Sequence, residues 1–338
     1  MKHAACALTL TLTTLTALAQ TEPAAAPAPT QETAADAPAQ VVVEGRRPGP
    51  GVWKVSKGDH VLWVFGLYAP LPKKMEWDDA RVERLVKQSQ EVLMQPGSRI
   101  EVGFFRQLTL LPSMMSMEKM PDGATLQQVL PADVYVRWRV LKEKYIGTNA
   151  DIERSRPMFA SNALLEAALD KHGLTPPYRN VAPQIVKIAK RNKVKVTETT
   201  IVIEPAEPRR LLDAFKQSQL DDTACFKKTL DNLEGDIDAM RTRANAWADG
   251  AIGAIREADY VEREKACDDA ILNSDFAKAS PELKDMRERV RVRWLQVAET
   301  ALATNASTFA LLGMSTILDP HGYLADLQAK GYTVESPK

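Results

Sequence analysis

The side chains able to carry chemistry in this chain are few and scattered, and their spacing narrows what they can do. Of its four histidines, three follow the first few residues: His60 in the turn Lys57-Gly58-Asp59-His60, His172 beside Gly173, and His321 in a loop. His172 reads as the cap of a helix end. His321 follows Thr316 closely in sequence, so it is the one candidate for a metal ligand or base near that stretch, and a solvated surface position is its plainer reading. Ser315 and Thr316 offer hydroxyl nucleophiles with no recognisable base nearby in sequence. Cys225 and Cys267, without neighbouring histidine, fit zinc-site spacing poorly and a disulfide well. Closing that loop contributes roughly 4 kcal/mol if the effect is mainly chain entropy. Met114, Met115, Met117 and Met120 cluster in the apolar stretch Phe104–Met120, which reads as cover packed over a sheet rather than as a soft-metal site. Five cations between Lys187 and Lys195 read as a solvated helix end followed by an alternating strand. No phosphate loop or dinucleotide fingerprint is present.

These groups depend on the strands and helices that carry them. Gly51 to Val55 and Val61 to Phe65 read as a β-hairpin closed by the Lys57–His60 turn. The second arm is apolar on both faces, as in a strand inside a layered domain. Gly66 reads as its end, which places Leu67, Tyr68 and Ala69 at a sheet edge, where open α/β folds keep their sites. Val82, Leu85 and Val86 mark an amphipathic helix. Glu91 to Gln95 reads as a short buried strand, stopped by Pro96-Gly97. Helices follow at Leu126–Leu130, Asp133–Tyr145 and Phe159–His172. A nearly unbroken helical run extends from Arg209 to Ile255. The last long helix spans Pro281 to Ala303, ahead of the buried strand Ser307–Leu312 and the strand Tyr332–Val334. The fold class is α/β, a central mixed sheet covered by helices, with a helical insert at about residues 207–275.

On these residues the chain resembles the TraB/GumN family, relatives of the Tiki metalloproteases, whose opening hairpin ends in Gly-x-x-His. Gly66-Leu67-Tyr68-Ala69 matches that motif with Ala69 in the histidine's place. Gln95 matches a strand-end glutamate, and Gly313-Met314-Ser315-Thr316 matches a second Gly-x-x-His with Thr316 last. Ala246-Trp247-Ala248-Asp249-Gly250 resembles the family's Trp-x-x-Gly-Asp segment with the final pair reversed, and Gly331-Tyr332-Thr333-Val334 keeps its Gly-Tyr-x-Val ending. Arg291-Val292 and Arg293-Trp294 stand where relatives carry Arg-Asn, without the asparagine. The resemblance runs from about Gly51 to Val334. It implies two histidines and a carboxylate holding a divalent metal that activates water. Ala69, Gln95 and Thr316 supply none of these. The expectation is a degenerate member with no metal and no other cofactor. Its vestigial cleft is formed by Gly66, Tyr68, Ala69, Gln95, Gly313, Thr316 and His321, with the two glycines side by side.

Composition sets the remaining expectations. The 338 residues carry 44 basic and 44 acidic side chains, so nothing predicts nucleic-acid binding or electrostatic capture by a membrane. Residues 1–19, a short basic start and an apolar middle ending in Ala17-Leu18-Ala19, read as a cleaved secretory signal that takes Cys6 with it. Residues 20–50, rich in alanine and proline, read as a flexible linker to a domain at 51–338. A periplasmic or secreted location follows, with no membrane insertion after cleavage. Two classes of function remain. One is a binding protein that holds a peptide, glycan or partner protein. The alternative is an active hydrolase or metalloprotease with a rearranged site. What separates them is whether His321, His60, Tyr68 or a carboxylate converges on the cleft between Gly66 and Gly313.

Overall fold

β1 (Val52–Lys57) and β2 (His60–Leu67) pair antiparallel from Val52 opposite Phe65 to Lys57 opposite His60. The turn needs only Gly58 and Asp59, and Gly58 has φ +60°, the conformation that two-residue hairpin loops require and glycine adopts without strain. The computed structural model describes residues 49–235, 237–256 and 260–337. The expected signal sequence and nearly all of the expected linker lie outside them.

Six further strands follow: β3 (Glu91–Leu93), β4 (Ser98–Ile100), β5 (Lys195–Thr197), β6 (Ile201–Ile203), β7 (Ser307–Gly313) and β8 (Thr333–Glu335). The main sheet has the order β5-β3-β7-β2-β1-β8. β5, β3, β7 and β2 run parallel, while β1 is antiparallel to β2 and to β8. The fold is therefore α/β around a mixed sheet. β2 and β7 occupy its centre, and Leu62, Val64, Phe65, Phe309, Ala310 and Leu311 are fully buried, as two-sided cover demands of parallel strands. Helices Ala80–Gln88, Ala182–Arg191 and Met286–Thr304 supply that cover. A second apolar cluster is mostly helical. In it Leu126, Trp138, Leu164 and Leu169 pack with Phe226 and Leu230, and the Trp138 and Phe226 rings lie 5.4 Å apart.

Several expectations need correction. Gly66 does not end its strand, which continues to Leu67. The run from Arg209 divides into helices Pro208–Gln217, Thr223–Glu234, Ile237–Ala248 and Ile252–Arg256, with breaks at Ser218, Gly235 and Gly250, because apolar spacing persists through short turns that keep the same buried face. The last long helix starts at Met286, after turns that begin at Pro281. The largest difference concerns Phe104–Met120. Helix Phe104–Ser116 does not cover the main sheet, and of its residues Leu110 alone is buried. β4 and β6 pair only with each other, and the chain leaves β4 on that small parallel sheet, carrying the helix away from the core.

Candidate functional site

The cleft forms where β2 and β7 end together. In their parallel register Gly66 pairs with Leu312 and Leu67 with Gly313. A Cβ on Gly66 would lie 2.2 Å from the Met314 sulfur and 3.2 Å from the Trp53 ring. Only a glycine lets the turn after β7 fold over β2 at this distance. The Gly66 carbonyl accepts a 2.7 Å hydrogen bond from Trp247 Nε1, and the Trp247 ring packs against Phe65 and Trp77. A single indole thus ties helix Ile237–Ala248 to the strand end and satisfies a buried carbonyl.

Of the expected site residues, Tyr68, Ala69, Gln95 and Gly313 line one cavity of about 270 Å³, together with Ser315 and Glu264. Gly66 lies beneath it, under Met314. Thr316 is turned away: its hydroxyl donates to the Gly313 carbonyl at 2.7 Å, inside its own turn. His321 is exposed, 3.9 Å from Asp319, and does not line the cavity. The His60 ring lies 2.8 Å from the Asn305 carbonyl at the opposite end of β2. His172 caps helix Pro157–Lys171, and its carbonyl accepts from Arg241. Gln95 is fixed from behind by Thr199, whose hydroxyl donates to the Met94 and Gln95 carbonyls at 2.8 and 3.0 Å.

The side chains that sequence reasoning missed come from helix Tyr260–Leu272. Glu264 Oε2 accepts from the Ser315 hydroxyl at 3.3 Å. Its neighbour Arg263 donates to Thr229 Oγ1 at 2.9 Å and Asn162 Oδ1 at 2.6 Å, and the Cys225–Cys267 disulfide closes one turn further on. Two hydrogen bonds from Arg263 and the disulfide at Cys267, one turn apart on the helix, therefore hold Glu264 over the strand ends. Although Glu264 as a residue is exposed, loss of hydration pushes its carboxyl above the ordinary glutamate range, with the Ser315 hydrogen bond and the Arg263 charge opposing. Burial likewise raises the Tyr68 phenol, and the Arg243 hydrogen bond pulls it back. Arg263 is lowered by burial, offset in part by Glu264. Among the described residues, Arg243 Nε is buried without an acceptor. The one hint of this cluster in the sequence is the place of Glu264 one helical turn before Cys267, whose partner in the fold was foreseen while its neighbours were not.

The cavity shares Tyr178, Asn180 and Gln95 with the lining of a second one of about 510 Å³ that also includes Trp77 and Gln184, so the two adjoin along those side chains. The groups at the resemblance positions are a methyl, which has no lone pair to offer, an exposed amide and a hydroxyl committed to its own backbone. With the single carboxylate of Glu264 they do not fit a divalent metal. Among the described residues, no three His, Cys, Asp or Glu side chains come together as metal ligands. None of the helices described is long and apolar enough to cross a membrane. No curated protein and no solved structure matches the chain. One family does, over residues 51–336, a span that opens one residue before β1, closes one residue after β8 and takes in both strand-end glycines: this chain belongs to the TraB/PrgY/gumN family.

Proposed function

We infer that the strand-end cleft is a recognition site for an extended peptide or glycan, in an exported protein of the periplasm or extracellular space whose metal-dependent peptidase chemistry has been lost. The carrying observation is the donor set. The cleft carries both glycines and a buried tyrosine, while Ala69, Gln95 and Thr316 stand where metal ligands are implied. The adjoining groove offers what a polar chain uses, namely the amides of Gln95, Asn180 and Gln184 and the aromatic faces of Trp77 and Tyr178, the latter 70% exposed, with Lys73 and Arg179 also in its lining. The Cys225–Cys267 disulfide supports an oxidising location.

A second reading, a hydrolase independent of metal, is favoured by the Ser315–Glu264 contact. A carboxylate with a raised pKa beside a hydroxyl at a strand end is the kind of base a serine nucleophile needs. Calorimetric titration with peptide and oligosaccharide panels, combined with peptidase assays and elemental analysis of dialysed protein, separates the readings. Saturable binding that Tyr178→Ala weakens by about tenfold, roughly the loss of one stacking contact, supports recognition. One metal per chain with chelator-sensitive cleavage overturns it. Cleavage that resists chelator and disappears in Ser315→Ala establishes the hydrolase. Binding unaffected by Tyr178→Ala and Gln95→Ala moves the site to the helical insert.

A further inference from the structure

Thirteen large hydrophobic side chains stay exposed among the described residues, and seven of them share one region. Six belong to helix Phe104–Ser116, and Ile100 belongs to β4 beside it. Phe104, Phe105 and Met115 are 68%, 82% and 79% exposed. At their exposed fractions the seven residues present roughly 800 Å² of surface, backbone included. The largest patch on a typical monomer is about 300–600 Å², whereas about 800 Å² is what each partner buries in a standard interface.

We propose that this face is the contact of a two-fold homodimer. It carries a projection and a recess of matching chemistry side by side. The projection is the Phe104–Phe105 pair, with ring centroids 5.6 Å apart. The recess is an apolar groove of about 970 Å³ between the same helix and helix Pro208–Gln217, with Leu211, Phe215, Phe276 and Leu283 among its lining. In an isologous contact each copy's aromatic pair fills the other's groove, and one self-complementary patch closes the assembly at two subunits. The groove also carries Arg106, Glu101 and Glu204, so a two-fold axis can set the arginine of one copy against carboxylates of the other. Other occupants fit less well. The helix has one cation, Arg106, and acidic residues beside it, unlike the lysine- and arginine-rich helices that lie on anionic lipid. Within residues 20–48 the only run of large aliphatic residues is Val41-Val42-Val43, too small to cover such an area.

The test is light scattering on the purified full chain at micromolar concentrations, with Phe105→Glu/Met115→Glu compared in parallel. The wild type is expected at twice the mass of one chain, and the double variant at the mass of one, with unchanged far-ultraviolet circular dichroism. Arg106→Glu is expected to weaken association at least tenfold, and Arg106→Glu/Glu101→Arg to restore part of it. A wild type that is monomeric throughout overturns the proposal, as does a dimer whose mass the double variant leaves unchanged. A monomer that co-sediments with phosphatidylcholine–phosphatidylglycerol vesicles also overturns it, and assigns the face to lipid.

Discussion

Glu264 shows how one side chain's environment couples the cleft to stability. Its carboxyl holds its proton more tightly in the folded protein than in the unfolded chain, because burial removes hydration that only the charged form needs. The penalty is absent below the ordinary glutamate pKa of about 4 and grows as pH rises from there through the raised folded value. Glu264→Gln keeps an acceptor for Ser315 and removes the charge. The variant is therefore expected to be more stable than wild type at neutral pH, by at most about 1 kcal/mol given the open side of the residue. The difference should close as the pH falls to about 4. Thermal midpoints of both proteins across that range measure it, and a gap that widened on acidification would contradict the assignment. Gly66 acts differently, through the absence of a side chain: the space a Cβ would need is already held by Met314 and Trp53. A strand-end glycine here is thus a packing requirement of the two-strand junction.

Among the elements, helix Tyr260–Leu272 is tied to its neighbours by a covalent bridge and by side-chain hydrogen bonds. The disulfide joins it to helix Thr223–Glu234, and Arg263 reaches both that helix and helix Pro157–Lys171. Cys225 and Cys267 are 42 residues apart in sequence, so the bridge contributes about 4 kcal/mol by restricting the unfolded chain. Cys225→Ala, or reduction, is expected to lower unfolding free energy by about that amount. Amide exchange in residues 260–272 should accelerate before exchange in β2 or β7. Denaturant titration with and without reductant, together with exchange mass spectrometry, reads both effects. If strand protection fell first, the bridge would instead be supporting the sheet.

At the scale of the molecule, the sheet core and the helical core draw mostly on different stretches of chain, and helix Ile237–Ala248 contributes to both. The helical core joins residues 120–174 to helices Thr223–Glu234 and Ile237–Ala248, and Trp247 binds the latter to the sheet at Gly66. A fragment of residues 207–275 leaves out Leu126, Trp138, Leu164 and Leu169, which are fully buried in the complete chain. It is expected to lack a cooperative unfolding transition, whereas a fragment of residues 120–275 should show one. Calorimetry of the two fragments decides whether the insert is an independent unit. A sharp transition in the shorter piece would show that its own helices suffice.

The strands of the main sheet were legible in the sequence because two-sided burial writes itself as unbroken apolar runs, as in Val61–Phe65 and Ser307–Leu312. The hairpin turn was legible because Gly58 meets a backbone requirement that few other residues satisfy. Family membership and the Cys225–Cys267 pairing could be read for similar reasons, from motifs at strand ends and from a short inventory of cysteines. The stretch Phe104–Ser116 was not readable in this way, since apolar composition records that a surface wants cover without recording whose surface supplies it. Glu264 beside Ser315, and Trp247 beneath Gly66, were equally beyond it. Each pair is far apart in sequence, and their meeting depends on how helices dock on the sheet and on one another. Local spacing determines which face of an element is apolar; only tertiary packing decides what that face meets.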